Sequence, residues 1–277
     1  MITTPAGHRG ILIGTVHVGV QGLRQPSAAI FDGAKRHIVE QVPSEGPMPE
    51  PRPVWPPALA KLTKTQRLGE APWAAQVSPQ ERAELRRRIA CRTGYLDNQV
   101  DWELATSLAM ESPLSAAETA IRPCAPPGIP SRDELLSRYA RDRNVPTYSL
   151  EVNAEVEKRR RSVEDRIHLH QLHVGLSERQ PEAMATITRT LNTGDFDEVT
   201  SVLSSLAANQ EDAAIYERKM LADRNEAWVP RLLKYLEDGD AVISVGVAHL
   251  SGPNGLPALL RRAGMRVEPV VLPQALP

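Results

Sequence analysis

Two histidines sit in the same short phrase near opposite ends of the chain. Ile11-Leu12-Ile13-Gly14-Thr15-Val16-His17 and Val242-Ile243-Ser244-Val245-Gly246-Val247-Ala248-His249 each run from strand-like apolar residues into Gly-x-x-His. Imidazole is the commonest protein ligand for zinc and similar divalent ions. Two imidazoles with a carboxylate form a recurrent hydrolytic set, in which an ion activates water. A single histidine at a strand end is ordinarily a local hydrogen-bonding group. The duplication is what points to one shared site. Gly14 and Gly246, three residues before each histidine, allow a sharp turn out of the strand and close backbone approach.

Two carboxylates have matching positions. Glu40 and Glu151 each end an apolar run and would project from the same edge as the histidines if the strands are parallel. One could bind the ion while the other takes a proton from water. The plainer readings are a surface residue for Glu40 and, for Glu151, a charge that suits the positive end of a following helix. Arg224 lies one helical turn from both Met220 and Trp228, so it shares an apolar face and is expected to point inward. A buried guanidinium needs an anion, which could be a site carboxylate, the substrate or a transition-state oxyanion. A structural ion pair with Glu217 is an equal alternative. His168, His170 and His173 do not make a site, because residues two apart on a helix point about 200° apart. His8 and His37 lack supporting context.

The elements that must position these groups read as α/β. Strands are expected at residues 11–16, 37–42, 145–150, 241–245 and 265–272, with a short helix over 26–36. Such alternation favours an α/β sheet, here small and mostly parallel or mixed, made by the N- and C-terminal Gly-x-x-His units. The central residues supply a large helical cap. The chain is expected to form one domain over 1–277. Its sheet core would be near 10–42, 145–151 and 240–273, with cap helices near 57–143 and 153–237. Residues 43–57 hold seven prolines in fifteen positions, which excludes regular structure and makes a linker. Ser78-Pro79-Gln80-Glu81 and Ser131-Arg132-Asp133-Glu134 are capping-box patterns. Asn153 is expected to cap the helix that follows Glu151.

Composition narrows the function classes. Net charge is −1 and aromatics are 4%, which suits neither nucleic acid nor an anionic membrane. No run of about 20 apolar residues is present. Read as the native start, the N-terminus carries no export signal, so a cytoplasmic protein is expected. The two cysteines, Cys91 and Cys124, have neither metal spacing nor a disulfide framework and are expected to be inert thiols.

The residues resemble the TraB/GumN family, whose animal relatives are the Tiki metalloproteases. Gly194-Asp195, then Asp223-Arg224-Asn225-Glu226-Ala227-Trp228, then Val245-Gly246-Val247-Ala248-His249-Leu250 with Gly252, Gly255 and Leu256 follow the family's order. Gly14-Thr15-Val16-His17-Val18-Gly19 matches its opening motif, Tyr148-Ser149-Leu150-Glu151 its mid-chain strand, and Glu40 its glutamate after the second strand. Residues 43–140 show no counterpart, and Gln41 follows Glu40 where many relatives have a second acidic residue.

The resemblance implies a metal-dependent hydrolase, a peptidase first. His17, His249 and Glu40 would hold a divalent ion (Mn, Co or Zn). Glu40, Glu151 and Arg224 would be catalytic, and Arg224, Asn225, Gly14 and Gly246 would meet substrate. The expected partners are a peptide or small-molecule substrate and a second copy in a homodimer, without nucleic acid or membrane. Two alternatives stay open. One is a metal-independent His/Glu esterase of the erythromycin-esterase type. The other is a protein that sequesters a peptide or other ligand without cutting it.

Overall fold

The computed structural model describes residues 1–41, 72–93 and 113–274; the proline-rich segment 43–57 lies outside them. In chain order the elements begin with β1 (Ile2–Thr3), β2 (Arg9–Thr15), a 3-10 turn (Ala28–Phe31) and β3 (Arg36–Val39). Helices α1 (Pro79–Thr93), α2 (Leu114–Ala120) and α3 (Arg132–Asp142) precede β4 (Thr147–Ser149). Then come α4 (Asn153–Arg161), α5 (Asp165–Gly175), α6 (Arg179–Thr193), α7 (Asp197–Ser205) and α8 (Gln210–Glu217). A π turn (Arg218–Ala222) runs straight into α9 (Asp223–Glu237). The chain closes with β5 (Ala241–Gly246), a 3-10 turn (Val247–Leu250), α10 (Leu256–Arg262) and β6 (Arg266–Val267).

The fold is α/β, built on one six-stranded mixed sheet of order β4-β3-β5-β2-β1-β6. The first four strands in that order are mutually parallel, and β1 and β6 add an antiparallel margin. The two strands that lead into Gly-x-x-His, β2 and β5, are direct neighbours, paired from Gly10↔Ala241 to Thr15↔Gly246. Their near-continuous Val/Ile content is what a parallel strand covered on both faces requires.

The chain divides into two compact units. The first comprises Met1–Pro43, Pro126–Ser162 and Ala183–Pro277, and holds the whole sheet. Successive strand residues face opposite sides, so each side of the sheet has its own core. On one side Trp228, Leu232 and Leu236 of α9 and Leu256 and Leu260 of α10 pack on Ile38, Ile243 and Val245. On the other, Leu136 and Ala140 of α3 join Ile30 and Phe31 over Ile13 and Val242. Fully burying a Leu, Ile or Phe side chain is worth about 1.5–3 kcal/mol.

The second unit comprises Ser44–Ala125 and Val163–Glu182. Its core joins Trp73, Ala74 and Val77 to Leu85 of α1, Ala116, Ala117 and Ala120 of α2, and Leu172 of α5. Here one expectation is corrected. Cys91 and Cys124 are joined in a disulfide, with Cα atoms 5.9 Å apart. A separation of 33 positions carries no sign of closeness in sequence; the packing of α1 on α2 creates it.

Local signals held where the relevant atoms are close in sequence. Both capping boxes form: Ser78 Oγ accepts from Glu81 N while Glu81 accepts from Ser78 N, and Ser131 and Glu134 do the same. Other expectations change. Asn153 is the first residue of α4, and Val152 takes the cap position without a side-chain bond. The expected helix over 26–36 is only a 3-10 turn, and the last strand shrinks to two residues. Among the described residues no helix is long and apolar enough to cross a membrane.

Candidate functional site

Four neighbouring parallel strands deliver the candidate residues to one edge. Glu151 follows β4, Glu40 follows β3, His249 lies in the turn after β5, and His17 follows β2. The C-terminal edge of parallel strands is where open α/β sheets place ligands.

Arg224 is the hub of the cluster. It enters from the first turn of α9, and its guanidinium is buried. Its Nη2 donates to Glu40 Oε2 at 2.6 Å and Glu151 Oε1 at 2.5 Å, and its Nε donates to Glu151 Oε2 at 3.1 Å. Its Nη1 donates to the Met220 carbonyl at 3.1 Å and to His249 Nε2 at 3.2 Å. Burial opposes its charge, but the bonds to Glu151 and Glu40 outweigh that and raise its pKa. The guanidinium also lies 4.8 Å from the Trp228 ring centroid, a cation–π contact. Trp228 Nε1 donates to Glu151 Oε2 at 3.1 Å, so both Glu151 oxygens are committed inward. The ion pair weighed for Arg224 with Glu217 does not form; Glu217 accepts from Asn254 instead.

His249 is buried and neutral. Asn225 Nδ2 donates to the Asn254 carbonyl at 2.8 Å, which turns Asn225 Oδ1 toward His249 Nδ1 at 2.7 Å. Nδ1 therefore carries the proton and Nε2 accepts from Arg224. Burial first, with the charges of Arg224 and His17, pulls the His249 pKa down to about 3 against the pull of Glu40. Burial also works against ionised Glu40. The adjoining His249, Arg224 and His17, with the Gly246 N–H at 2.6 Å, outweigh it and hold Glu40 at about 2.

His17 is half exposed, with 49% of its side chain accessible. Its Nδ1 donates to Asp133 Oδ2 at 3.2 Å. Its Nε2 lies 3.6 Å from the point where a Cβ on Gly246 would sit. Glu40 Oε1 is 3.1 Å from that same point and His249 Cδ2 is 3.7 Å from it. Glycine at position 246 thus leaves the space on which both imidazoles and a carboxylate converge. Gly14 has a different setting: a Cβ there would meet Leu191 and Leu250 at 3.0 Å, so its missing side chain serves packing. Asn225, expected to meet substrate, is buried and occupied with His249 and Asn254. Close after Glu40 and Glu151, Gln41 and Asn153 line an open groove of about 510 Å³ with Glu157 and Arg160.

Asp133 was not legible as a site residue. In sequence it is a first-turn acid inside a capping box, 116 positions from its histidine. His37, by contrast, stays outside the site. It is buried on β3, bonds Ser244 Oγ at 2.8 Å, and meets Phe31 edge-on.

A buried arginine–dicarboxylate cluster beside two imidazoles, at the C-terminal edge of a parallel sheet, marks an α/β protein with a polar strand-end site. The chain belongs to the TraB/PrgY/gumN family, whose sequence model matches residues 1–269, the segment 43–140 included. No curated protein and no solved structure matches it.

The resemblance behind this membership implies a divalent ion, for which His17, His249 and Glu40 would be the donors. Each histidine is held through Nδ1 by a side-chain oxygen, Asp133 for His17 and Asn225 for His249. This outer-shell support is typical of metal-ligating imidazoles. Glu40 Oε1 stands 3.8 Å from His249 Nε2. Among the described residues no three His, Cys, Asp or Glu side chains form a ready-made ligand cluster. Arg224 Nη1 engages His249 Nε2 and would have to release it before that nitrogen could meet an ion.

Proposed function

We propose that the chain is a hydrolase acting at a carbonyl centre, a peptide bond first, with a divalent ion held by His17, His249 and Glu40. The observation that carries this reading is the convergence of His17 Nε2, Glu40 Oε1 and the His249 ring on the space left by Gly246. When bound, the ion supplies an activated water and polarises the substrate carbonyl. His17, on the accessible side, meets incoming water and substrate. Glu40 keeps its carboxylate ionised at working pH and is the oxygen placed to share the ion or take the proton from water. Glu151 anchors Arg224. Arg224 in turn holds Glu40; all five of its N–H groups are engaged, and the one on His249 Nε2 is the donor that ion binding to that nitrogen would free to meet negative charge developing on the carbonyl oxygen.

The second reading is a metal-independent hydrolase of the His/Glu type. It is favoured by Arg224 already standing on His249 Nε2 and by the carboxylate-backed His17, which could then act as general base.

One experiment separates these readings. Freshly purified protein is analysed for bound metal, then incubated with a peptide mixture and with small esters after chelation. Incubation is repeated with Mn²⁺, Co²⁺ or Zn²⁺ restored, and products are read by mass spectrometry. Cleavage lost on chelation and regained with an ion supports the metal reading. Hydrolysis that persists under chelation sinks the metal and keeps the hydrolase. Peptide retained uncut in every condition would make the chain a sequestering protein.

A further inference from the structure

We propose that Asp133 is a positioning residue for His17. It holds the imidazole as its Nδ1–H tautomer so that Nε2 faces the space beside Gly246. The proposal deepens the functional reading above and rests on it for the importance of His17, but its own test does not need activity.

Three observations carry it. First, Asp133 Oδ2 is 3.2 Å from His17 Nδ1, and an ionised carboxylate can only accept. Second, the position of Asp133 is fixed independently of His17. The Ser131/Glu134 box closes around it at the start of α3. Its neighbour Arg132 is buried and donates to the carbonyls of Gly14 at 2.8 Å and Arg24 at 2.7 Å, and to Gln25 Oε1 at 3.4 Å. Arg132 therefore grips the segment that carries His17 on both sides of the histidine. Asn192 adds two more bonds to that segment, at the Gly22 carbonyl and the Arg24 N–H.

Third, the second Gly-x-x-His is served in a parallel way. Asn225, in the first turn of α9, accepts from His249 Nδ1. Helices α3 and α9 pack on opposite faces of the sheet. Each contributes a first-turn oxygen to one histidine, so the sequence duplication is matched by a duplication of supports. The supports differ in charge. The amide at His249 fixes orientation alone, whereas the carboxylate at His17 also strengthens Nε2 as a donor to a cation.

The test uses full-length protein labelled with ¹⁵N-histidine, studied without metal at a pH where imidazole is neutral. Long-range ¹H–¹⁵N correlation reads the tautomer of His17, assigned by its loss in His17→Gln. Wild type is expected to show Nδ1–H. Asp133→Ala should shift His17 toward Nε2–H, and Asp133→Glu should restore the wild-type pattern at least in part. Titration with Mn²⁺ or Co²⁺ alone should show about 10–100-fold weaker binding in Asp133→Ala. An unchanged tautomer and unchanged ion affinity in folded Asp133→Ala would overturn the proposal. If that variant does not fold, the near-isosteric Asp133→Asn takes its place. Its amide can present either edge, so a mixed tautomer is expected, and pure Nδ1–H with full ion affinity would overturn the idea. If wild type binds no ion, the tautomer still decides the matter. If the tautomer shifts while hydrolysis is untouched, the positioning role stands and the functional reading of His17 falls.

Discussion

Arg224 and Glu151 form a two-point ion pair, Nε to Oε2 at 3.1 Å and Nη2 to Oε1 at 2.5 Å, with both side chains buried. The same Nη2 also reaches Glu40. One guanidinium thus faces two carboxylates across the ends of β3 and β4. Removing it would leave both acids underpaired in a dry setting. Arg224→Ala is expected to lose about 3–5 kcal/mol of stability by urea denaturation. Arg224→Lys should recover only part of that, because an ammonium cannot make the two-point contact. A loss below about 1 kcal/mol for Arg224→Ala would show that the cluster is not held by this residue.

His17 and His249 should separate stability from activity. His17 is half exposed, so His17→Ala should stay within about 0.5 kcal/mol of wild type. His249 is buried between Asn225, Arg224 and the Trp228 ring, 4.4 Å centroid to centroid, so His249→Ala should cost about 1–3 kcal/mol. Both should lower the rate of hydrolysis by about 10²–10⁴-fold. The double variant should be no slower than the worse single, since residues that act as one unit are non-additive. Near-normal turnover in either single variant would dissolve the shared site.

Acid should destabilise the protein before most carboxylates titrate. Folded His249 stays neutral down to about 3, against 6.5 for an ordinary histidine. Buried His37 stays neutral to about 4. Above pH 6.5 neither group is protonated in either state, so stability is at its full value. Below that, the unfolded chain takes up protons that the folded one refuses, and stability falls as pH drops toward 3 to 4. Each group contributes at most about 1.4 kcal/mol per pH unit over its window. Glu40 adds a further loss as pH falls from its ordinary 4.5 toward about 2. Thermal melts from pH 7.5 to 4.5 should therefore show falling Tm, with a shallower slope in His37→Gln. A flat profile over that range would contradict the buried neutral imidazoles.

Protein purified without reductant and denatured should show no free thiol among its two cysteines. Cys91→Ser with Cys124→Ser should lower stability by about 2–4 kcal/mol. Two titratable thiols would refute the bond.

The sequence by itself determined the elements that depend on near neighbours. The apolar runs before Gly14 and Gly246 became strands because alternate and continuous apolar residues demand burial. Both capping boxes formed because their partners are three residues apart. The inward face of Met220, Arg224 and Trp228 followed from helical spacing. The strand-end histidines were legible because the duplicated phrase implied one shared sheet, and the strand-end position of Glu40 and Glu151 because each ends an apolar run.

Only the tertiary structure decided what those groups touch. The two committed oxygens of Glu151, the neutral His249, Asp133 behind His17 and the Cys91–Cys124 bond all join positions far apart in the chain. Hydrogen-bond direction, desolvation and side-chain distance depend on how helices and strands pack, and no local pattern encodes them. The same distinction separates the two asparagines expected to act from sequence. Asn153 lost its expected cap because Val152 took the cap position, whereas Asn225 gained a role because the packing of α9 set it against His249.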